Sequence, residues 1–511
     1  MPLQEFIEFY QKHLNLDPTD LQKFTDSIQS PLSSAFRITP TQHSSQIKER
    51  LEKYKFLKKI QFLEDVYTFD LKAHKNTDEY TEFIELLVAQ TDVGNIQRQE
   101  VVSLLPHKFL QLKHSHRVLE TCASPGSKTK NLLENITDGI LISNEKSSSR
   151  VNILISESAK KATPSFIITQ MDAAHFPTLN FKFDRICCDV PCSSDGTCRK
   201  NPAIMPKWNV NDGIGLSSIQ LRILKRSLEL LKEGGILVYS TCSLNPIENE
   251  WVIHNAIRDN PNYELINNFD FIQYVDSCAV KASDNSKINV RRGLVEFEYK
   301  QFHFKNEHLS KCFRILPHDQ DTGGFFIAVI KKVADSCSKV FQPVNVINPR
   351  FVEVDSSIES KIKKCYDISK CNYHFVSSNL GFKNIFAVSD LCYSILCNNP
   401  KLKVSYAGIK AFTHFDIDKE KFRAKSPFLE ISNISTDFTL SLEDFKKLLE
   451  SKHIPLDKLG IRPAGLFSCK VEGTDLRFCG FSGGMKVFLY IDDNHRKAYS
   501  QLYCVSNKHI C

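Results

Sequence analysis

The sequence predicts an α/β fold built on a doubly wound, Rossmann-like parallel sheet. Between residues 117 and 330, short apolar runs rich in β-branched residues alternate with helical patterns. A long amphipathic helix over residues 217–235 separates two of these runs, and its closing glycine pair, Gly234–Gly235, is a predicted C-cap. Near-continuous apolar strands joined by helices are typical of a parallel sheet that is covered on both faces.

Five strands are predicted in this central region. Each is a run of four to eight apolar residues bounded by turn residues. They are residues 117–123, 139–144, 165–172, 183–190 and 234–241. Two later apolar runs, 293–302 and 323–332, are predicted to add an edge hairpin.

The flanking regions differ in pattern from the centre. The N-terminal region begins with apolar residues at helical spacing, Phe6, Phe9, Tyr10 and Leu14. Residues 331–346 have the composition of a linker, and the segment beyond them mixes helical and β patterns, which predicts a small α+β or β-barrel-like module. The predicted domains are therefore 1–110, 111–335 and 345–511.

Composition places few limits on function. The 511 residues are 24% charged and 42% hydrophobic, as expected for a soluble globular protein. Neither a secretory signal nor a run of about 18 apolar residues is evident, which predicts a soluble, intracellular protein without membrane contact. The net charge of +7 is compatible with a polyanionic partner. The 17 cysteines form no C-x-x-C pair, so we expect reduced thiols and no metal site.

Polar groups follow successive predicted strands, at the edge where open α/β sheets bind ligands. Glu145, after the second strand, is placed to form hydrogen bonds with ribose hydroxyls. Asp172, after the third strand, is placed to accept a hydrogen bond from the amine of adenine. A small-residue turn after the first strand opens a helix, and its backbone amides favour a carboxylate. This set fits S-adenosyl-L-methionine better than a dinucleotide. The turn consists of Cys122, Ala123, Ser124, Pro125, Gly126, Ser127 and Lys128.

Two cysteines follow the last two strands. Cys192 comes after Asp189 in DVPCSSDGT, and Cys242 lies in YSTCSLNPIENE. A thiolate is a strong nucleophile, and its addition to C6 of a pyrimidine makes C5 able to accept a methyl group. The Asp/Asn-Pro-Pro-aromatic loop of amine methyltransferases is absent from the sequence. Chemistry through a covalent cysteine adduct is therefore favoured over direct N-methylation.

With these residues in view, the chain resembles the Sun (Nol/Nop/Sun) family of RNA cytosine-5 methyltransferases, and within it the enzymes that modify tRNA. The segments FRIT, VGNIQRQEVVSLLP, CASPGSKT, DVPCSSDGTCRKN, YSTCSLNPIENE and RILPHDQDTGGFF resemble family blocks in family order. The pair DVPCS and STCSLNPIE is the most specific part of this match.

The resemblance implies a role for each matching residue. Cys242 is implied to attack C6, and Cys192 to help release the methylated product. Asp189 is implied to contact the cofactor or the target base, and Lys128 to reach into the active site. The S-adenosyl-L-methionine contacts are implied to be residues 122–128, Glu145, Asp172 and Asp189. RNA contacts are implied for Arg199, Lys200 and Asn201 near the pocket, for the N-terminal region, and for a PUA-like C-terminal module that would hold the tRNA body.

Several positions depart from the family pattern. Glu120 and Ser124 stand where Asp and Ala are usual, and Ser194 replaces the usual Gly. Residues 143–147, SNEKS, stand where the family has Ala-Asn-Asp-Val-Asp. Glu145 is therefore one methylene longer than the usual aspartate, and Ser147 replaces the second acid. An inactive RNA-binding scaffold and a ribosomal RNA methyltransferase are the alternatives to a tRNA enzyme. The resemblance also implies a monomer in the nucleus, nucleolus included, with the cytoplasm as the alternative location.

Overall fold

The computed structural model describes most of the chain, including every predicted site residue. The described residues are 2–70, 75–275, 286–334, 347–378, 382–415, 421–432, 434–459, 465–483 and 485–504. The expected boundary between the second and third predicted domains, near residues 335–346, lies outside them.

The N-terminal part contains helices around a small antiparallel sheet. Helices α1 and α2 are amphipathic, and their aromatic faces pack on the central part of the molecule beside Trp208 and Leu244. Four strands pair in the order β2-β3-β1-β4. The elements are α1 (Pro2–Leu14), α2 (Pro18–Gln29), β1 (Ser34–Ile38), α3 (Ser44–Leu51), β2 (Lys58–Lys59), β3 (Val66–Phe69), α4 (Asp78–Asp92), β4 (Ile96–Arg98) and α5 (Leu105–Phe109).

The central part supplies most strands of the main sheet. Its elements are β5 (Arg117–Glu120), α6 (Ser127–Leu133), β6 (Ile140–Asn144), α7 (Ser148–Ser158), β7 (Phe166–Thr169), β8 (Phe183–Asp189), α8 (Val210–Leu230), β9 (Leu231–Thr241), α9 (Glu250–Ile257), β10 (Tyr263–Leu265), β11 (Ile272–Tyr274), β12 (Ile288–Arg292), β13 (Glu296–Tyr299), β14 (Phe302–Lys305), β15 (Phe313–Ile315), α10 (Pro317–Gln320) and β16 (Phe325–Lys332). Strands β5 to β9 are mutually parallel, in the order β9-β8-β5-β6-β7.

Both faces of the parallel strands are buried, as their continuous apolar runs predict. Ile140 and Ile142 of β6 point into one core with α8 and α9, whereas Leu141 points into the opposite core with α5, α6 and α7. The same alternation holds in β8, where Cys187 and Cys188 lie in opposite cores. This is the doubly wound arrangement that the sequence predicts.

Two local predictions differ from the structure. Helix α8 ends at Leu230, and Gly234, with φ of 73°, lies within strand β9, so the glycine pair does not cap the helix. The two runs predicted as one edge hairpin separate. Strand β13 pairs with β14, while β16 joins the main sheet antiparallel to β9. Because β16 pairs with β9 over six residues, this nonlocal pairing outweighs the local hairpin.

The C-terminal part contains two five-stranded sheets with helices, in agreement with an α+β module. One sheet runs β17-β18-β19-β21-β22 and the other β23-β25-β26-β27-β24. The elements are β17 (Val352–Glu353), α11 (Ser356–Lys363), β18 (His374–Ser377), β19 (Asn384–Val388), α12 (Asp390–Asn398), β20 (Val404–Ala407), β21 (Ile409–His414), β22 (Phe422–Ala424), α13 (Ser426–Ile431), β23 (Phe438–Leu440), α14 (Leu442–Glu450), β24 (Ile454–Pro455), β25 (Gly465–Val471), β26 (Arg477–Gly483), β27 (Lys486–Leu489) and α15 (Asp493–Tyr503).

The three parts of the chain share cores and one sheet. Strand β20 of the C-terminal part pairs antiparallel with β7 and extends the main sheet. Helix α15 packs on α4, and one hydrophobic core contains Phe36 and Phe83 together with Phe445 and Phe478. The N-terminal and C-terminal parts therefore support each other beside the central sheet.

Two further findings concern the chain as a whole. No helix among the described residues is long and apolar enough to cross a membrane. The cysteines in the described ranges are all free, and no group of three or more potential metal ligands occurs there.

Glu120, at the end of β5, generates a prediction about stability. It is 1% exposed, and burial raises the pKa of its carboxyl to about 7 although Thr129 and Ser143 donate to it. The folded state therefore keeps a proton that the unfolded state loses above the ordinary glutamate pKa of 4.5, so stability falls as pH rises from about 4.5 to 7. Glu120→Gln removes this pH-dependent loss of stability, because glutamine does not titrate.

We expect Glu120→Gln to match the parent protein at pH 5 and to be more stable at pH 8, by about 2–3 kcal/mol. Urea denaturation at both pH values measures the difference. Glu233→Gln, at an exposed position of β9, is the control for loss of one surface charge. An equal stability difference at both pH values would contradict the prediction.

Candidate active site

The carboxyl ends of the parallel strands border a cleft of about 570 Å³. Asn144 at the end of β6 fixes its floor. The Asn144 amide donates to the carbonyls of Thr121 (3.0 Å) and Met171 (2.9 Å), and its oxygen accepts from the Thr169 hydroxyl (2.9 Å). One buried side chain thereby ties together the loops that follow β5, β6 and β7.

The turn after β5 forms one wall of this cleft. Cys122 and Ser124 line it, and Ala123 is buried, with its N–H donating to the Asn144 carbonyl at 2.8 Å. Arg150 donates to the Ser124 carbonyl at 2.6 Å, and the Ser124 hydroxyl donates back to the Arg150 carbonyl at 3.0 Å. The hydroxyl that departs from the family's alanine therefore holds the turn against α7.

The rest of the turn shapes the backbone without lining the cleft. Pro125 is exposed and follows a cis peptide bond. Gly126 has φ of 104°, and a Cβ there would lie 3.1 Å from the Leu154 side chain, so the position favours glycine. The Ser127 carbonyl accepts from the Gln97 amide at 2.6 Å, which links the turn to the N-terminal part.

The two predicted acids both line the cleft. Glu145 accepts from the Ser147 backbone N–H at 2.9 Å, and the Arg150 guanidinium lies 3.6 Å from its other oxygen. Lys146 donates to Asp172 at 2.8 Å, and this bond lowers the pKa of Asp172. Asp172 also accepts from a backbone N–H two residues on, at 3.0 Å. Both acids are held at fixed positions on the cleft wall.

Asp189 lies where this cleft meets a second, smaller cavity of about 90 Å³, because it lines both. Its carboxylate accepts from Lys128 and from the Ser240 hydroxyl, each at 2.6 Å. Burial disfavours the charged form of Lys128, but the attraction of Asp189 outweighs it and raises the pKa of the ammonium group. Lys128 lines the smaller cavity. The predicted Lys128 and Asp189 thus form one charged pair between the cavities.

The two predicted cysteines meet at this point. Their sulfur atoms are 3.4 Å apart, and Cys242 lines the smaller cavity. The hydrogen bond with Cys192 lowers the pKa of Cys242, with a smaller contribution from Ser194, while the same bond raises the pKa of Cys192. Either sulfur can donate in this contact, but Ser194 and the Lys128 charge also lower the pKa of Cys242, which favours Cys242 as the thiolate of the pair.

The loop that carries Cys192 is pressed against the Cys242 loop. The Gly196 N–H donates to the Cys242 carbonyl at 3.0 Å, and a Cβ at Gly196 would lie 2.8 Å from that oxygen. Ser194 adopts φ of 62°, a left-handed conformation that explains why glycine is usual there, and its hydroxyl lies 3.4 Å from the Cys242 sulfur. This serine adds a polar contact that a glycine lacks.

Two buried carboxylates brace these loops, and neither was predicted from the sequence. Asp195 accepts from the Leu244 N–H at 2.8 Å, from Trp208 at 3.1 Å and from the Tyr10 hydroxyl of α1. Burial raises the pKa of Asp195. Helix α1 therefore holds the junction between the two cysteine loops.

Glu248 is the second bracing carboxylate. It accepts from the Ser193 N–H (2.9 Å), the Ser243 hydroxyl (2.6 Å) and the Gln220 amide (2.9 Å). Ser193 follows one cysteine and Ser243 the other, so one carboxylate fixes both. The segment NPIENE was noted as a motif, but its residues carry no nucleophile or cofactor pattern that would have revealed this role.

The smaller cavity also contains residues that sequence reasoning missed. Glu100 of the segment after β4 and Phe325 of β16 line it together with Cys242. Both fall within segments that resemble family blocks, but they come from distant parts of the chain. Its lining residues are Leu32, Glu100, Ser103, Lys128, Asp189, Thr197, Lys200, Cys242, Gly323 and Phe325.

The three predicted RNA contacts differ in placement. Lys200 and Asn201 are exposed, and Lys200 lines the smaller cavity. Arg199 is 5% exposed and donates to Asp321 at 2.6 Å and to the Thr322 carbonyl at 3.0 Å. Because its guanidinium is enclosed and bonded within the protein, its placement does not support the predicted RNA contact. Arg199 instead joins the cysteine loop to the segment before β16.

The fold is that of the Rossmann-like methyltransferase class, and two cysteine sulfurs lie in contact beside its cleft. A family model described as 16S rRNA methyltransferase RsmB/F matches residues 107–331. The multisite-specific tRNA:(cytosine-C(5))-methyltransferase of Saccharomyces cerevisiae is 31% identical over 83% of this chain and 75% of its own length. This chain belongs to the Sun family of RNA cytosine-C5 methyltransferases.

Two further matches describe the extent of the likeness. The tRNA (cytosine(34)-C(5))-methyltransferase of Drosophila melanogaster is 36% identical over 48% of this chain, which spans 38% of that enzyme's length. The crystal structure of PH0851 aligns with a TM-score of 0.50 at 20% identity, over 64% of this chain and 65% of that one. The latter match concerns the fold alone.

The contact between Ser194 and Cys242 generates a prediction. Ser194→Gly removes the hydroxyl and relieves a left-handed conformation that costs a residue other than glycine about 1 kcal/mol. We expect the pKa of Cys242 to rise, because the Ser194 side chain that helps to lower it is removed, and stability to stay equal or increase. The pH dependence of alkylation by iodoacetamide, followed on the Cys242 peptide by mass spectrometry, measures the pKa.

Ser194→Ala is the matched control for this prediction. It removes the hydroxyl but keeps the Cβ in the left-handed conformation, so we expect the same rise in pKa without a gain in stability. Unchanged alkylation profiles in both variants would show that the hydroxyl does not act on the thiolate.

Proposed function

We propose that this protein methylates C5 of cytosine in tRNA with S-adenosyl-L-methionine as methyl donor. The observation that carries the proposal is the pair of sulfurs 3.4 Å apart, with Cys242 facing a small cavity that adjoins a larger cleft. The names of the yeast and fly relatives support cytosine C5 as the target and tRNA as the substrate.

The larger cleft fits S-adenosyl-L-methionine in size and in chemistry. Its volume of about 570 Å³ falls in the range of small-molecule sites. Glu145 would hold the ribose hydroxyls and Asp172 the adenine amine, with Ile219 and Ile223 as an apolar wall. Of the turn 122–128, Cys122 and Ser124 line the cleft and would face the amino-acid end. When bound, this cofactor supplies a methyl group that a carbon nucleophile accepts.

The nucleophile is the Cys242 thiolate. Its addition to C6 of the target cytosine forms a carbon–sulfur bond and moves electrons toward N3 and O2, which makes C5 nucleophilic. The Lys128 ammonium, fixed 2.6 Å from Asp189, stabilises the negative charge that develops on the ring. Burial from water strengthens this interaction.

Release reverses the addition. After C5 has accepted the methyl group, loss of its proton to a base re-forms the C5–C6 double bond and expels Cys242 as a thiolate. The Cys192 thiol, 3.4 Å from that sulfur, donates a hydrogen bond to the departing thiolate. In the free protein the contact with Cys242 and then burial raise the pKa of Cys192, and burial keeps Cys192 protonated when Cys242 is in the adduct.

The target cytosine must leave its stack to reach Cys242, because C6 is inaccessible in a paired helix. We infer that residues 1–110 and a PUA-like module of residues 345–511 hold the tRNA while residues 111–335 carry out catalysis. The same proposal includes action as a monomer and residence in the nucleus. A fluorescent fusion in cells tests the location.

A group of cations supports RNA binding by the C-terminal part. Lys410 of β21, Arg423 of β22 and Lys425 form no ion pair within the described ranges, and the Arg423 guanidinium lies 4.0 Å over the Tyr490 ring. Burial, with repulsion from Arg423 and Lys410, lowers the pKa of Lys425 to about 8. Neighbouring cations without carboxylate partners favour a polyanion such as an RNA backbone.

The thiol roles are tested with two variants. Cys242→Ala should abolish transfer of labelled methyl groups to tRNA, because no adduct forms. Cys192→Ala should form the adduct but release it slowly, so a covalent protein–RNA complex should accumulate on a denaturing gel. Cys371→Ala, at a position distant from the site in sequence, is the control.

Full activity of Cys242→Ala would overturn the mechanism. Methylation of ribosomal RNA but not tRNA, in parallel assays with both, would replace the substrate while keeping the chemistry. Absence of S-adenosyl-L-methionine binding by calorimetry would instead favour the inactive scaffold.

The cation group gives a separate prediction. Lys410→Gln with Lys425→Gln should weaken tRNA binding about tenfold at low salt and reduce the slope of log affinity against log salt by about 1.5 to 2. Filter binding at several salt concentrations measures both. Lys363→Gln with Lys447→Gln is the control, since both lysines are already paired with carboxylates of their own helices. Equal effects of the two double variants would contradict a local phosphate site.

A further inference from the structure

Two thiols in contact beside a cavity can react with each other as well as with a substrate. The sulfur atoms of Cys192 and Cys242 are 3.4 Å apart. Within the described ranges, no other two cysteine sulfurs are hydrogen-bonded to each other. Because a disulfide joins sulfurs at about 2.05 Å, these two atoms need to approach by roughly 1.4 Å to become bonded. Their geometry separates this pair from the other thiols of the described chain.

The chain segments next to the two thiols are also held together. The hydroxyls of Ser193 and Ser243, each one residue beyond a cysteine, are 3.1 Å apart, and both lie within hydrogen-bond distance of the Glu248 carboxylate. The Gly196 N–H donates to the Cys242 carbonyl at 3.0 Å. These contacts join the loops through groups other than the sulfurs, so a bond between the sulfurs requires no large movement of the loops.

A small oxidant can reach the pair. Cys192 and Cys242 are both partly exposed, and Cys242 lines the cavity of about 90 Å³, which is larger than a water molecule needs. Hydrogen peroxide, with two oxygen atoms, is therefore small enough to enter. Most other cysteines of the described ranges are buried, namely Cys187, Cys188, Cys198, Cys312, Cys392, Cys397, Cys469 and Cys479.

The two thiols differ in reactivity toward a peroxide. The contact with Cys192 and the Ser194 hydroxyl lower the pKa of Cys242, which increases its thiolate fraction. Thiolates react with peroxides, and low-pKa, accessible thiols beside a second cysteine are the typical sites of reversible oxidation. Cys242 is therefore the sulfur that a peroxide oxidises first, and Cys192 is the neighbour placed to react with the product.

We propose that Cys192 and Cys242 form a site of oxidative modification, at which a peroxide converts the two thiols into a reversible disulfide. The Cys242 thiolate attacks one oxygen of hydrogen peroxide, the O–O bond breaks, and hydroxide leaves, so the sulfur becomes a sulfenic acid. The Cys192 sulfur then attacks that sulfur and loses its proton, and the expelled hydroxyl group takes up the proton to form water. Two electrons pass from the sulfurs to the peroxide.

The disulfide has two consequences for the site. It removes the thiolate that would attack C6, so its effect on methyl transfer rests on the proposed function, whereas the bond itself does not. It also protects Cys242 from further oxidation to a sulfinic acid, which thiols do not reduce. Because both sulfurs are partly exposed, a small dithiol can restore them by thiol–disulfide exchange.

The experiment treats the full-length protein with hydrogen peroxide, blocks the remaining thiols with N-ethylmaleimide and digests the protein with trypsin without reductant. We expect mass spectrometry to show a cross-link between the peptides of residues 186–199 and 233–258. Fragmentation of the first peptide assigns Cys192 as the linked sulfur. This step is needed because that peptide also contains Cys187, Cys188 and Cys198.

Two activity measurements accompany the cross-link. Peroxide should lower both the alkylation of Cys242 by iodoacetamide and the transfer of labelled methyl groups to tRNA at least about tenfold, and dithiothreitol should restore both. Cys192→Ser lacks the second thiol, so we expect no cross-link, and Cys242 should reach the sulfinic acid, which dithiothreitol does not reverse. Cys371→Ser, a change at another partly exposed cysteine, should give the same cross-link as the parent protein.

Loss of Cys242 alkylation without a cross-link to Cys192 would overturn the inference. A cross-link that forms equally fast in protein unfolded with urea would also overturn it, because the folded site would then have no part in the pairing. If the untreated parent protein transfers no methyl groups to tRNA, the proposed function fails, while the cross-link and the alkylation still test the disulfide.

Discussion

Strands β8 and β9 lie parallel with Asp189 opposite Ser240, and the rest of the site depends on this register. Because the strands end side by side, the loops that follow them bring two cysteines, separated by 50 positions in the chain, to a sulfur–sulfur distance of 3.4 Å. The hydrogen bond between Asp189 and Ser240 fixes the same register at the side-chain level. A shift of one residue would turn Asp189 toward the opposite face and separate it from Lys128.

Maintaining this contact requires buried polar groups. Glu248 accepts hydrogen bonds from both cysteine loops, and Asp195, within the Cys192 loop, accepts from Leu244 of the Cys242 loop and from Tyr10 of the N-terminal part. An isolated buried carboxylate is costly, but here each oxygen has a donor, so the network holds the loops in one arrangement. The N-terminal part thereby supports the two cysteine loops as well as flanking the sheet.

The sequence predicted the features that local patterns determine. Five strands lie where apolar runs end in Gly, Pro or polar residues, and the thiols, Lys128, Glu145 and Asp172 follow from strand order at a sheet edge. Features set by distant pairing were not predictable. Strand β20 joins the main sheet from beyond residue 400, and the guanidinium of Arg199 is enclosed by groups more than 100 positions away. Glu100 reaches the cavity through the fold of the N-terminal part, which no local motif reveals.

The departures from the family pattern fall where the structure tolerates them. The Ser124 hydroxyl bonds to α7, and Glu120 is satisfied by Thr129 and Ser143 on the strand side of the cleft floor. Ser194 keeps the backbone conformation of a glycine and adds a hydroxyl beside the thiolate. Each change retains or adds a hydrogen bond near the site without altering the sulfur pair. These substitutions therefore leave the contact between the two sulfurs and the ion pair of Lys128 with Asp189 in place.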